Sequence, residues 1–193
     1  YRIDRDYEIS PLDDAPPLRF MTAHNNRLFG AGDLLYPLRL YFCGDRDPNK
    51  WFSPDTDADG EETYDEVLSA GYFEIDGISG DEIKAVWGEY LDSVIVCTNR
   101  QTFRITGTNI NDWYVERISA SVGALGPHCI AQAGNDLWIV SDQGVFSLKG
   151  VVEHGDMATA MVSFDIQEVF TDVGDLRKEI LPNLSEKVRL KFD

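Results

Sequence analysis

Cysteine and histidine are scarce in this chain, with three of each in 193 residues. Cys43, Cys97 and Cys129 are odd in number, far apart and without CxxC or Cys/His ligand spacing. That pattern suggests neither a disulfide framework nor a zinc site and leaves buried, reduced thiols as the reading. Basic residues are also few, 17 against 34 acidic ones, for a formal net charge of -17. Such a chain does not hold nucleic acid or an anionic membrane by neutralising phosphates, although a like-charged wall lets a polyanion slide past it. A run of about 18 apolar residues is lacking, and no basic segment precedes a short apolar stretch. The visible chain therefore reads as neither membrane-spanning nor led by a secretory signal.

Catalytic signatures are lacking as well. His24, His128 and His154 are scattered, with no G-x-S-x-G elbow or other nucleophile motif beside them, so structural histidines are expected. The expectation is a protein that is not an enzyme.

What the chain does have is 43% hydrophobic and 11% aromatic residues, enough for the core of one medium domain. Short runs alternate apolar and polar positions at period 2 between turn residues, the pattern of half-buried strands; helical periodicity is rare. One unit reads as strands at Ile83–Trp87, Asp92–Cys97, Thr102–Thr106 and Trp113–Ile118. A second reads as strands at His128–Gln132, Leu137–Val140 and Val145–Leu148. An earlier copy runs through Arg19–His24, Arg27–Ala31 and Leu38–Phe42, and its step from Gly44 to Trp51 parallels the step from Gly107 to Trp113.

Phe103–Gly107 aligns with Phe146–Gly150, and Ile95–Asn99 with Ile139–Asp142, a spacing of 43 to 44 residues. Four-stranded propeller blades repeat at about 40 to 50. The fold expected is mainly β, with β-propeller-like, four-stranded antiparallel blades at 18–162. A lead-in segment occupies 1–17, and a short helical connector at 163–193 leads to a further segment, with Leu181-Pro182 as a stop. Two to three blades do not close a propeller, so either further sequence supplies the rest, the favoured reading, or the chain forms an open sheet assembly. Trp51, Trp87, Trp113 and Trp138 recur at strand or blade-edge positions, which suits packing between blades.

The first spacing is longer by about 20 residues, and the excess falls in an acidic stretch at 53–71, read as a loop between blades. Within it, Asp55, Asp57 and Asp59, then Gly60, Glu61 and Glu66 match the D-x-D-x-D-G-x5-E spacing of a calcium loop. Alternating carboxylates, the Glu61 carbonyl and a bidentate Glu66 would supply the oxygen ligands, and Gly60 the sharp turn. Against this, Pro54 precedes the loop and Lys50-Trp51-Phe52 builds no entering helix, so a solvated acidic insert stands beside calcium as the alternative. No other cofactor is expected.

The strings Asn26–Gly32, Pro37–Gly44 and Asp47–Trp51 resemble the blade signature of podovirus-type tail nozzle and tail stabilisation proteins. Gly80-Asp-Glu-Ile83 stands where those proteins introduce a blade, and Phe103–Gly107 where a strand ends it. The resemblance covers roughly Leu18 to Phe170. It implies a structural virion protein of the phage tail, assembled in the host cytoplasm as a hexameric ring that lines or extends the DNA ejection conduit. The implied partners are identical subunits, neighbouring tail and adaptor proteins, and passing DNA without specific binding; it carries over no catalytic residue. The alternative is a binding propeller that recognises a glycan or protein through its loops. Asp142–Phe146 is similar to a structural turn of sialidase-type propellers, but no arginine cluster or tyrosine nucleophile accompanies it, so a glycoside-cleaving enzyme is the weakest class.

Overall fold

The computed structural model describes residues 2–3, 9–10, 15–51, 55–56, 62–63, 70–149 and 161–162. A two-stranded pair, β1 (Arg2–Ile3) and β2 (Ile9–Ser10), precedes three larger antiparallel sheets. The first sheet holds β3 (Phe20–His24), β4 (Arg27–Ala31) and β5 (Arg39–Phe42). After a short pair, β6 (Asp55–Thr56) with β7 (Glu62–Thr63), the chain completes that sheet with β8 (Gly71–Glu74). The second sheet is β9 (Ile83–Trp87), β10 (Ser93–Thr98), β11 (Thr102–Thr106) and β12 (Tyr114–Ser119). The third is β13 (Ile130–Ala133), β14 (Asp136–Ser141) and β15 (Gly144–Ser147). A bridge from Phe146 to Met161 and a bond from the Val162 amide to the Val145 carbonyl (2.8 Å) set a further segment alongside β15.

The protein is thus mainly β, with antiparallel sheets of three and four strands and almost no helix among the described residues. Within each large sheet every strand pairs with the next in sequence, and no sheet closes on itself among the described residues. The strands foreseen at 83–87 and 102–106 have those bounds. Strand β8 was not foreseen, and it corrects the position of the acidic stretch. The chain leaves the first sheet at β5 and returns to it at β8, so the stretch joins neighbouring strands of one sheet and does not separate two sheets. Its only strand-like signal, Gly-Tyr-Phe-Glu, is too short to show a period. The helical connector foreseen at 163–193 lies outside the described residues, as does most of the lead-in.

Strand β10 shows how the sheets stack. Val94 and Val96 enter a core with Phe29, Leu40 and Phe42 of the first sheet; Ile95 and Cys97 enter another with Ile130, Leu137 and Ile139 of the third. All six β10 residues are buried, which is why Ser93–Thr98 reads as an apolar run and not as an alternation. Each fully buried Val or Ile contributes about 1.5–3 kcal/mol, so this strand is the centre of the hydrophobic stabilisation. A bulge at Cys97/Thr98 shifts the β9 register, so Ile83 and Ala85, two apart, face different cores. The outer face of the first sheet is closed by Trp51 over Tyr41 and Cys43, with Ala15, Leu18 and Leu28 alongside.

Connectors lock onto their sheets through backbone. Ile83 N–H donates to the Pro37 carbonyl (2.9 Å), Ala124 N–H to Thr98 O (2.9 Å) and Leu125 N–H to Val140 O (3.1 Å). Two hairpins turn on paired left-handed residues: Asn25–Asn26 (φ 43 and 62) between β3 and β4, and Leu91–Asp92 (φ 48 and 53) between β9 and β10. Asparagine tolerates this conformation, but leucine does not, at a cost of about 1–2 kcal/mol. Replacing Leu91-Asp92 by Asn-Gly is therefore expected to raise the melting temperature by about 2–6 °C. An unchanged or lower melting temperature would show that the Leu91 side chain is needed where it is.

Candidate interaction surfaces

The loop from Gly32 to Pro37, between β4 and β5, presents Leu34 (71% exposed), Leu35 (81%) and Tyr36 (46%). Two consecutive exposed leucines are unusual on a chain this acidic, and their position is held from beneath. The buried Asp33 carboxylate accepts the Leu35 amide (2.8 Å) and the Tyr41 hydroxyl (2.7 Å). Burial alone would raise the Asp33 carboxyl, but the Tyr41 hydroxyl and the Leu35 and Tyr36 amides hold it below the usual aspartate range. Burial, with the bond to Asp33, pushes the Tyr41 phenol up to about 12.

The tip continues onto the sheet. The Arg39 guanidinium lies over Tyr36 (3.7 Å to the ring centroid) and over Tyr72 (4.1 Å), and its Nε donates to Glu74 (3.2 Å). Exposed Tyr36 and Tyr72 around the half-buried Arg39 have the composition of interface centres.

The Asp33 and Tyr41 shifts make opposite demands on pH. A depressed carboxyl contributes stability above its unfolded value, about 3.9, and loses it as pH falls through the folded value. A raised phenol contributes below about 10 and loses that contribution as pH rises toward about 12. The Leu34 and Leu35 methyl resonances should accordingly hold steady from about pH 4 to 10 and move only below and above that window. A midpoint near neutrality would assign the loop to another group.

A second surface lies where β3 and β9 begin and the chain enters β13. A cavity of about 380 Å³ is lined there by Arg19, Phe20, Glu82, Lys84, Pro127 and His128, among others. Lys84 pairs with Glu82, whereas the Arg19 and His128 side chains have no partner among the described residues. Three sheets place matching strand starts at one spot, which sequence reading could not see because no motif joins these residues.

His24 is buried in the β3–β4 hairpin, beside Asn25 (3.0 Å) and tilted on Phe29; burial lowers its pKa against the opposing pull of Asp92 and Glu89. His128 is exposed, and His154 lies outside the described residues. The three cysteines are free and buried, with Cys97 pushed up to about 12 by burial. Arg27 is buried between sheets: its Nη1 donates to the Cys43 carbonyl (2.6 Å) and its guanidinium faces Trp113 (5.4 Å) and Phe42 (5.7 Å). Trp113 and Trp87 pack against the first and second cores respectively.

Of the residues read as a calcium loop, Asp55 begins β6, whose backbone pairs with β7 through Asp55↔Thr63 and Thr56↔Glu62. The Asp55 side chain and Asp57, Asp59, Glu61 and Glu66 lie outside the described residues. Among the described residues no group of three or more His, Cys, Asp or Glu side chains is placed to hold a metal. No helix among them is long and apolar enough to cross a membrane. No family model matches the chain, and a comparison with curated proteins finds no match.

Proposed function

We propose that these sheets are blades of an incomplete β-propeller in a structural, non-catalytic protein of a phage tail, a ring that lines or extends the DNA ejection conduit. The observation that carries this reading is the succession of meander sheets stacked face to face, with the middle one buried on both sides. Stacked sheets of this kind hide their apolar faces only when neighbours follow on each side, as blades do around an axis. The strings that resemble tail nozzle proteins support it further, because they fall at structural joints. Asp81 of Gly80–Ile83 bonds the β10–β11 turn, and Gly107 ends β11 at φ 117. The net charge of -17 suits a wall past which DNA slides. The partners are then identical subunits, in a hexamer, and neighbouring tail and adaptor proteins.

Light scattering on the full-length protein, followed by electron-microscopic averaging of the protein and of particles, tests this. A six-fold ring at the tail is the expected result. A stable monomer that closes its own propeller would overturn the ring and favour a binding propeller. The cavity with Arg19 and His128, whose side chains have no partner among the described residues, supports that second reading, and retention on a glycan array that Arg19→Ala abolishes would establish it.

A further inference from the structure

The cavity where β3, β9 and the entry to β13 meet has fixed walls and an arginine that the chain leaves unanswered. Its volume, about 380 Å³, falls within the range for small-molecule sites, about 300–1,000 Å³. Backbone hydrogen bonds hold the walls: Arg19 N–H donates to Ala31 O (2.9 Å), Ile83 N–H to Pro37 O (2.9 Å), Leu125 N–H to Val140 O (3.1 Å) and Cys129 N–H to Gly126 O (3.0 Å). The Arg19 stem is seated on Gly32 (φ 102), where a Cβ would lie 2.7 Å from Arg19 Cβ and 3.0 Å from its Cγ. The absence of a side chain at Gly32 therefore sets the course of Arg19 along the cavity wall.

Charge decides the class of ligand. Arg39, Arg46 and Arg104 each have a carboxylate oxygen nearby, at 3.2, 3.9 and 2.6 Å. Arg19 has none among the described residues, although the chain carries 34 acidic residues against 17 basic ones. Glu82, the one acid lining the cavity, is taken by Lys84. His128 is exposed, without a partner among the described residues, and its ring donates a hydrogen bond in either charge state.

We infer that this cavity binds a small carboxylate, its oxygens taking the Arg19 guanidinium fork and a ring N–H of His128, with the body of the ligand against Phe20, Leu125 and Pro127. The inference rests on the binding-propeller reading and names its ligand class. One free guanidinium matches a single negative charge. A phosphate, carrying about -1.5 to -2, would call for a second free cation, and Lys84 is already held by Glu82.

Nuclear magnetic resonance titrations of the full-length protein with glucuronate, glucose and inorganic phosphate test it. Glucuronate should shift the Leu125 methyl and His128 ring resonances saturably, with a Kd of about 1 mM, and glucose should leave them in place. Arg19→Gln should weaken glucuronate binding about tenfold or more at an unchanged melting temperature, because the side chain is exposed. Glu82→Gln has the opposite sign: it releases Lys84 and should tighten glucuronate about threefold, an effect that a neutral ligand would not show. An equal response to glucose, tighter binding of phosphate than of glucuronate, or weaker glucuronate binding by Glu82→Gln would overturn the inference and leave the binding reading standing. No response to any of the three would also overturn the inference, and a glycan array without retention would then remove the binding reading as well.

Discussion

Gly123→Ala is expected to destabilise the protein by about 3 kcal/mol or more. A Cβ at this position would lie 2.3 Å from the Thr98 carbonyl oxygen, 2.4 Å from the Arg100 nitrogen and 2.4 Å from the Asn99 carbonyl carbon. All three are backbone atoms of the β10–β11 turn, so no side chain can swing away. The connector is also held on both sides: Thr102 Oγ1 donates to Val122 O (2.7 Å) and Ala124 N–H to Thr98 O (2.9 Å). Relief would break the stitch between the second and third sheets. Gly134→Ala is the control, since its Cβ meets nothing within 4 Å and only a φ of 62 opposes it, at a cost of about 1 kcal/mol. Urea melts of the two variants separate crowding from backbone strain. Equal midpoints would refute the close approach at Gly123.

Asp81→Ala is expected to cost about 2–4 kcal/mol. Asp81 is 6% exposed, and its carboxylate accepts three bonds: from Thr98 Oγ1 (2.6 Å), the Asn99 amide (2.9 Å) and the Glu82 amide (3.0 Å). Removing it strands donors at the start of β9 and in the β10–β11 turn together, each unpaired group costing about 1–3 kcal/mol where water cannot reach. Asp81→Asn keeps one acceptor oxygen, so its loss should fall between alanine and wild type. Hydrogen exchange provides the local check: the Asn99 and Glu82 amides should lose protection more than the amides of β14. Uniform loss across all three sheets would mean that Asp81 acts on the whole fold and not on this joint.

Asp81 also marks how far the residues themselves could be read. Gly80–Ile83 was recognisable as a step that introduces a sheet, but nothing in it says that its aspartate bonds a turn 18 residues further on. The strand at Ile83–Trp87 was legible because its apolar residues recur among turn signals. Strand β8 was not, since Gly71–Glu74 pairs with β5 across an acidic stretch that dominates the local composition. Leu34–Leu35–Tyr36 carried a signal that could have been used: three apolar residues between a glycine and a proline, where a turn calls for polar ones.

The mainly β class, and the positions of most strands and turns in the three large sheets, were determined by the sequence by itself, because period-2 alternation and the turn preferences of Gly, Asn and Asp are properties of neighbouring residues. Tertiary structure alone decided the rest. It set which sheet faces which, where the acidic stretch returns, why Arg27 is buried, and how Arg19, Glu82 and His128 reach one cavity. Those outcomes depend on contacts between residues distant along the chain, and burial on both faces of a strand such as β10 exists only once the sheets have stacked.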